Sequence, residues 1–187
     1  MKMDEYKSRI VDKRIELYLK TFGAILIEGP KWCGKTWTSR YHSNSEFSLA
    51  DPTGNFNHRQ IARLNPDLIL DGDNPRLIDE WQEVPAIWDA VRGRVGAIPK
   101  KGQFIPTGSA SVDKSEYIHS GTGRIAHLRM RHMSLYEAGE SDGKVSLEDI
   151  CFNRAKDCLT GEVKLSKIIE YILVGGWPSN GLCHRTQ

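Results

Sequence analysis

The residues best suited to chemistry form a glycine-rich loop near the amino end of the chain. This loop fits the pattern G-x-x-x-x-G-K-[ST] with the residues Gly29, Pro30, Lys31, Trp32, Cys33, Gly34, Lys35 and Thr36. Backbone N–H groups of such a loop can surround a phosphate, because glycine has no side chain to prevent close approach. We expect Lys35 to contact the β- and γ-phosphates and the Thr36 hydroxyl to bind Mg²⁺. The pattern therefore predicts a site for a nucleoside triphosphate.

The residues around this phosphate loop support the prediction. The apolar residues 24–27 come directly before it and are typical of a buried strand, and a helix is expected to begin at Lys35. The positive end of that helix dipole favours an anion. Trp37 follows the loop and is included among the expected nucleotide contacts. The alternative interpretation is a Gly-Lys-Thr turn that only follows a strand of an α/β protein.

A second group of candidate residues is the acidic pair Asp79-Glu80, which follows the apolar residues Leu77 and Ile78. A strand that ends in an acid places the carboxylate at the carboxyl edge of a parallel sheet, beside the phosphate loop. We expect Asp79 to hold Mg²⁺ through a coordinated water and Glu80 to activate the attacking water as a general base. The alternative is a solvated acidic turn before a helix. The pair favours hydrolysis, because simple phosphate transfer to another acceptor needs no water-activating acid.

A polar residue at the end of the neighbouring strand is expected to contact the γ-phosphate and orient the water. Ser109 is the first candidate for this role and Thr107 the second, whereas Ser111 is assigned to a loop. For each of these residues the alternative is an ordinary Ser-Gly turn.

An arginine often stabilises the charge of the transition state in phosphate chemistry. Arg124, Arg129 and Arg131 are available, and Arg124 is the candidate for a role in trans, on the nucleotide of a neighbouring subunit. A solvated arginine is the alternative. Residues 121–126 also match the dinucleotide pattern G-x-G-x-x-[GA], but we reject that interpretation because a polar loop precedes them where a strand is required.

Length and composition exclude several other classes of protein. The 187 residues are enough for one domain with a small addition, and the net charge of +2 gives no general electrostatic argument for nucleic-acid or membrane binding. The four cysteines have no C-x-x-C spacing, so no zinc site is predicted and free thiols are expected. No run has the roughly 18 apolar residues of a spanning helix, and the first residues lack the apolar core of a signal peptide. We therefore expect a cytoplasmic protein with no membrane partner.

Helical and strand patterns alternate along the chain, which predicts a parallel, doubly wound α/β sheet flanked by helices. The predicted helices are 5–21, 35–41, 55–64, 85–95, 147–153 and 165–174, and the predicted strands are 24–27, 47–50, 76–80, 103–107 and 125–130. Residues 67–70 fit either a strand or the end of a helix. Pro106 implies that its strand stops at Ile105 or is locally distorted. The expected organisation is a core with an amino-terminal helix at 1–133, followed by a partial helical subdomain with a truncated tail at 134–187.

These motifs together resemble a known family. The segment Leu-Ile-Asp-Glu-Trp-Gln-Glu-Val-Pro at 77–85, the phosphate loop and Thr107-Gly108-Ser109 are similar to the AAA-type ATPase domain of prokaryotic ATP-binding proteins. Those proteins carry a C-terminal domain of unknown function with a restriction-endonuclease-like fold. The resemblance extends from about residue 6 to residue 177. It implies an AAA+ P-loop core of five parallel strands in the order 5-1-4-3-2, and Gly123-Arg124 resembles the Gly-Arg before the last core strand of the family.

The chain also departs from the family pattern. The loop has Lys31, Trp32 and Cys33 where the family has a basic, a polar and a small residue, and Trp37 replaces a small hydroxyl residue. Pro106 stands where leucine is expected. The C-terminal domain of the family is expected to be missing from this chain.

The sequence thus predicts an ATPase that binds ATP and Mg²⁺. A nucleotide-binding switch, or a module that recruits a partner and hydrolyses little ATP, is the alternative. A small-molecule kinase would need an acceptor pocket and an arginine-rich lid, for which we find no pattern. A homo-oligomer is compatible with a role of Arg124 in trans, and nucleic acid as a partner rests on analogy with the family alone.

Overall fold

The computed structural model describes residues 6–109, 123–156 and 163–178. The strands within these ranges are β1 (Ala24–Gly29), β2 (Ser45–Ser48), β3 (Arg76–Asp79), β4 (Phe104–Ser109) and β5 (Ile125–Arg129). The α-helices there are α1 (Asp12–Thr21), α2 (Lys35–Tyr41), α3 (Thr53–Leu64), α4 (Ala86–Ala97), α5 (Leu147–Cys151) and α6 (Leu165–Val174). Two 3₁₀ helices lie at Pro66–Leu70 and Trp81–Glu83.

The described strands form one parallel sheet in the order β2-β3-β4-β1-β5. Read from the other side, this is the order 5-1-4-3-2 that the family resemblance implies, so the predicted fold class is confirmed. Strand β1 lies between β4 and β5, and its first four residues are fully buried. A short strand that is apolar on both faces belongs in the middle of a parallel sheet, since helices cover the sheet on each side.

Alternate residues of β1 belong to two separate hydrophobic cores, one on each face of the sheet. Ala24 and Leu26 pack in the first core, with side chains from α3 and α4 that include Trp88. Ile25 and Ile27 pack in the second core, together with Ile15 of α1 and other residues. Burial of each aliphatic side chain of this size stabilises the fold by about 1.5–3 kcal/mol. The two cores therefore hold β1, and the loop that follows it, in a defined position.

The predicted start of the first helix is wrong. We expected a helix from residue 5, whereas α1 begins at Asp12. The Asp12 carboxylate accepts hydrogen bonds from the Tyr6 hydroxyl (2.7 Å), the Ser8 hydroxyl (3.2 Å) and the backbone N–H of Arg9 (2.7 Å). Acidic side chains compete with the helix for backbone N–H groups, and this favours them at helix starts. The segment before α1 consequently folds around this carboxylate.

Pro106 does not end its strand. On the side of β3 the pairing of β4 is continuous through Pro106, whereas on the side of β1 it passes from Phe104 to Thr107. Proline has no N–H to donate to a neighbouring strand. Of the two predicted alternatives, the structure has the local distortion. The ambiguous residues 67–70 belong to a 3₁₀ helix and to no strand.

The chain divides into two compact units, Met1–Arg131 and His132–Gln187. The first contains the sheet and α1 to α4, and the described part of the second contains α5 and α6, neither of which has a fully buried residue. No helix of the described residues is long and apolar enough to cross a membrane. Cys33 and Cys151 are free thiols. The predicted loop at residues 111–122, the tail after residue 178, Cys158 and Cys183 lie outside the described residues.

Candidate active site

The phosphate loop connects the end of β1 to the start of α2. A Cβ atom on Gly29 would lie 2.7 Å from the carbonyl oxygen of Met130 and 3.1 Å from Sγ of Cys33, so a larger residue does not fit there. Gly34 has a φ of 99°, in the left-handed region that glycine adopts without strain. Gly34 is thus required by the backbone conformation of the loop, and Gly29 by the close approach of Met130 and Cys33.

The residues between these glycines differ in exposure. The Trp32 side chain is 80% exposed and its φ is 62°, whereas Cys33 is fully buried. Lys31 is exposed beside Trp32, and Trp37 is exposed on the first turn of α2. The departures from the family pattern at Trp32 and Trp37 therefore lie on the surface, and Cys33 fills the small interior position of the loop.

Lys35 is held within the loop by backbone carbonyl groups. Its Nζ donates hydrogen bonds to the carbonyl oxygens of Gly29 and Pro30, both at 2.9 Å, and the side chain is buried. Carbonyl oxygens compensate part of the cost of burying the ammonium group. The predicted phosphate-binding lysine thus lies at the carboxyl edge of the sheet, bound to the backbone of the loop.

Asp79 is contacted by two hydroxyl groups. Thr36 Oγ1 donates a hydrogen bond to Asp79 Oδ1 (3.0 Å), and Thr107 Oγ1 donates to the same oxygen (2.6 Å). The second contact follows from the sheet, since Asp79 and Thr107 are paired between β3 and β4. Burial raises the pKa of the Asp79 carboxyl group, and the hydrogen bonds from Thr107 and Thr36 act in the opposite direction. Thr36 and Asp79, predicted as magnesium ligands from distant motifs, are therefore in direct contact.

This pair of oxygen donors is suited to Mg²⁺, which binds hard oxygen ligands in proteins. Among the described residues, no group of three or more His, Cys, Asp or Glu side chains could hold a metal ion. Magnesium commonly uses one or two protein ligands and completes its octahedron with water and phosphate oxygens. Thr36 and Asp79 fit such a site, with nucleotide phosphates and water as the other ligands.

Glu80 lies directly after β3 in a left-handed backbone conformation, with φ 58° and ψ 47°. This conformation is uncommon for a residue with a side chain and ends the regular path of the strand. The Glu80 carboxylate accepts a hydrogen bond from Nε2 of Gln82, which belongs to the 3₁₀ helix that follows. The predicted general base thus follows the predicted metal ligand and has a hydrogen-bonded partner of its own.

The two predicted residues at the end of β4 have different positions. Thr107 is fully buried against Asp79. Ser109 is the last residue of β4 and is paired with Gly29, the first residue of the phosphate loop. Ser109 is consequently the one that lies at the rim of the sheet next to the loop.

Arg124 lies at the amino edge of the sheet, where the parallel strands begin, on the side away from the phosphate loop. Its carbonyl oxygen accepts hydrogen bonds from the N–H groups of Gly23 and Ala24, at the start of β1, and its side chain is exposed. Since β1 and β5 are parallel, this position is a full strand length from the phosphate loop. Arg124 therefore does not reach a nucleotide on its own subunit, and its predicted role in trans stays a prediction.

Sequence analysis did not identify Arg9, whose side chain contacts the backbone of the phosphate loop. Its guanidinium Nη1 donates a hydrogen bond to the carbonyl oxygen of Cys33 (2.9 Å), and Nη2 donates to the carbonyl oxygen of Arg131 (2.9 Å). Arg9 is only 7% exposed. No local motif marks this arginine, because its partners are 24 and 122 residues away in the chain.

A parallel five-stranded sheet that carries this loop, with Lys35, Thr36 and Asp79 at its carboxyl edge, defines a P-loop nucleotide-binding domain. A family model described as an AAA domain matches residues 21–139. This match covers more than half of the 187 residues, and the chain belongs to that family. The family indicates nucleotide binding and an ATPase-like function, and the predicted AAA-type domain is confirmed. No curated protein matches the chain.

Proposed function

We propose that this protein is a cytoplasmic ATPase that binds ATP with Mg²⁺ and hydrolyses it to ADP and phosphate. The observation that carries the proposal is the contact of 3.0 Å between Thr36 Oγ1 and Asp79 Oδ1. It brings the hydroxyl of the phosphate loop together with the acid of β3, as a shared magnesium site requires. Lys35 contributes a buried positive charge beside it.

Each of these residues has a distinct task in the proposed reaction. Lys35 would exchange its carbonyl contacts for oxygens of the β- and γ-phosphates and stabilise the charge that develops there. Thr36 and Asp79 would hold Mg²⁺, which neutralises phosphate charge when it is bound. Glu80 would accept a proton from the water that attacks the γ-phosphate. Ser109, at the end of the neighbouring strand, would orient this water.

An arginine for the transition state would come from a second subunit. Arg124 lies at the amino edge of the sheet, so its contribution requires a homo-oligomer in which this edge faces the phosphate loop of a neighbour. Such an arginine accelerates phosphate transfer by about 10³ to 10⁵ in other systems. The proposed ATPase would then be more active at protein concentrations at which it assembles.

Phosphate release by the purified chain with MgATP tests the proposal. We expect Glu80→Gln to bind ATP with unchanged affinity and to lose hydrolysis by roughly 10² to 10⁴-fold, which is the usual contribution of a general base. Glu16→Gln, the same change at an exposed position of α1, is the matched control and should behave as the wild type. Equal hydrolysis by Glu80→Gln and the wild type would exclude Glu80 as the base. Tight binding of ATP by the wild type without phosphate release would support the nucleotide-binding switch instead.

A further inference from the structure

The side chain of Gln82 lies between two parts of the proposed active site. Its Nε2 donates a hydrogen bond to Oε2 of Glu80. Gln82 is the second residue of the 3₁₀ helix Trp81–Glu83, whose turn is closed by the N–H of Glu83 on the carbonyl oxygen of Glu80, 3.1 Å away. This tight turn brings Gln82 back over the residue two positions before it. The contact is thus a product of the local backbone.

The other end of the Gln82 amide reaches the end of β4. A Cβ atom on Gly108 would lie 2.7 Å from Oε1 of Gln82 and 3.0 Å from Nε1 of Trp81. The absence of a side chain at Gly108 therefore leaves room for the amide beside the residue that precedes Ser109. The amide links the base after β3 to the strand that carries the proposed water-orienting residue.

This arrangement has two unfavourable features. Oε1 of Gln82 is buried and has no hydrogen-bond partner among the described residues, and a buried carbonyl oxygen in this state is costly. Glu80 adopts a left-handed backbone conformation, which is strained for a residue with a Cβ atom. If the Gln82 side chain only filled space, an apolar side chain of the same size would serve there without loss of stability. The contact with the Glu80 carboxylate is what distinguishes Gln82 from such a residue.

We propose that Gln82 is a positioning residue that holds the Glu80 carboxylate in the orientation needed to accept a proton from the attacking water. The donor Nε2 occupies Oε2 of Glu80, which leaves Oε1 of the same carboxylate to face the water. Because the amide also packs against Gly108, it holds this carboxylate at a constant distance from the end of β4. The inference rests on the proposed function of Glu80 as general base.

The test is steady-state hydrolysis of MgATP by Gln82→Met, which keeps the length of the side chain and removes the donor. We expect kcat to fall by about 10- to 100-fold, a part of the full contribution of a general base, while KM and the affinity for ATP change less than about twofold. Gln60→Met, on the exposed surface of α3, is the matched control with unchanged kcat. Gln82→Leu, which also removes the donor without adding a charge, should show the same loss and serves if the Met variant does not fold.

Two further measurements distinguish positioning from a structural role. In a Glu80→Gln background, Gln82→Met should cause no additional loss, because the group that it positions is gone. Thermal unfolding and ATP affinity of the single variant should match the wild type. An additive loss, a parallel loss of ATP affinity and stability, or an unchanged or higher kcat would each overturn the inference. A wild type without Glu80-dependent hydrolysis would overturn the proposed function together with it, whereas normal Glu80 dependence with an unaffected Gln82→Met would overturn the inference alone.

Discussion

The strands of the sheet end at its carboxyl edge and begin at its amino edge, and these two ends of the sheet differ in chemistry. At the carboxyl edge, β1, β3 and β4 end in Gly29, Asp79 and Ser109, and Ser109 is paired with Gly29 at the start of the phosphate loop. Lys35 and Thr36 approach this edge from α2 and contact the loop and Asp79. The carboxyl edge therefore gathers charged and hydroxyl side chains that can bind a ligand.

At the amino edge, backbone groups and the Arg76 and Gln103 side chains form hydrogen bonds with one another and with neighbouring segments. The N–H of Gly23 donates to the carbonyl oxygen of Arg124 (3.0 Å). The N–H of Gln103 donates to the carbonyl oxygen of Gly23 (2.7 Å), and the N–H of Arg76 donates to the carbonyl oxygen of Gln103 (2.9 Å). The Gln103 amide also donates to the carbonyl oxygens of Ile98 and Lys100. A parallel sheet concentrates its chemistry at the edge where its strands end, because the loops and helix starts that can bind a ligand lie there.

The largest effect should come from the charge at the carboxyl edge. Lys35→Ala removes the buried ammonium group, and we expect ATP hydrolysis to fall by at least about 10²-fold, as when one preorganised donor to the reacting group is lost. Lys100→Ala, the same change at an exposed position of the amino edge, should leave the rate of phosphate release unchanged. Comparable losses in both variants would show that the two edges do not differ in the way proposed.

The next effect concerns the partner of the metal ligand. Thr107→Val keeps the shape of the side chain and removes the hydroxyl that donates to Asp79. Loss of a residue that orients a metal ligand typically costs about 10- to 100-fold in metal affinity, so the Mg²⁺ concentration for half-maximal hydrolysis should rise by that factor. Thr21→Val is the control, because the Thr21 hydroxyl donates only to the exposed carbonyl oxygen of Leu17 in α1. An unchanged Mg²⁺ titration for Thr107→Val would contradict the proposed metal site.

Arg9 should matter for the loop without touching the reacting groups. Arg9→Met removes both hydrogen bonds from the guanidinium to the carbonyl oxygens of Cys33 and Arg131. Each hydrogen bond of a charged group contributes about 1.5–3 kcal/mol, so the free energy of unfolding should fall by roughly 2 kcal/mol or more, and ATP affinity should decrease with it. Urea unfolding and nucleotide titration measure the two effects. Loss of stability with full ATP affinity would mean that Arg9 supports the fold but not the loop geometry.

The contribution of Asp12 to the free energy of unfolding is expected to depend on pH, because its carboxylate accepts hydrogen bonds from the segment before α1. Burial tends to raise the pKa of Asp12, but hydrogen bonds from Tyr6, Arg9 and His42 outweigh it, and the pKa lies below the usual 3.8. Near pH 3.8 the unfolded chain therefore binds more protons at Asp12 than the folded chain does. The stabilisation by Asp12 is present above pH 3.8 and is lost as the pH falls through its lower folded pKa.

Asp12→Asn tests this expectation. It should lower the free energy of unfolding by about 1–2 kcal/mol at pH 7, because the ionised acceptor is gone, and should flatten the acid dependence below pH 4. Asp73→Asn, at an exposed position, is the control. Urea unfolding at several pH values measures both effects, and parallel pH profiles of Asp12→Asn and the wild type would argue against the charged role of Asp12.

The smallest effect is expected for Arg124 at the amino edge. In dilute solution, where subunits are separate, Arg124→Ala should hydrolyse ATP at the wild-type rate, since this side chain is a strand length from its own phosphate loop. Any loss should appear only as protein concentration rises and the wild type gains activity by assembly. A reduced rate at the lowest concentrations would contradict this assignment of the two edges.

Local patterns predicted most of the strands and helices of the core, and the candidate site residues were predicted from contiguous motifs. The loop from Gly29 to Thr36 and the acid pair after β3 are contiguous motifs, and α2 has the predicted bounds of 35–41. The start of α1 was missed because the competing hydrogen bonds to Asp12 come from side chains and backbone that form no recognisable helix cap motif. For Pro106 the sequence allowed a strand end at Ile105 or a local distortion, because the missing donor of proline is a property of the residue itself, and the structure has the distortion.

From the sequence alone, Lys35, Thr36, Asp79 and Glu80 could be predicted to form a nucleotide site, because they belong to short contiguous motifs that follow predicted strands. The contacts that these side chains make with the rest of the protein depend on the tertiary structure. The register between β3 and β4 brings the Thr107 hydroxyl into hydrogen-bond contact with Asp79. The path of the chain before α1 brings the Arg9 guanidinium into contact with the carbonyl oxygen of Cys33 in the loop. Because β5 runs parallel to β1, Arg124 lies at the amino edge of the sheet, a strand length from the phosphate loop. These contacts join residues distant in the chain, and they depend on strand register and packing, which no local pattern contains.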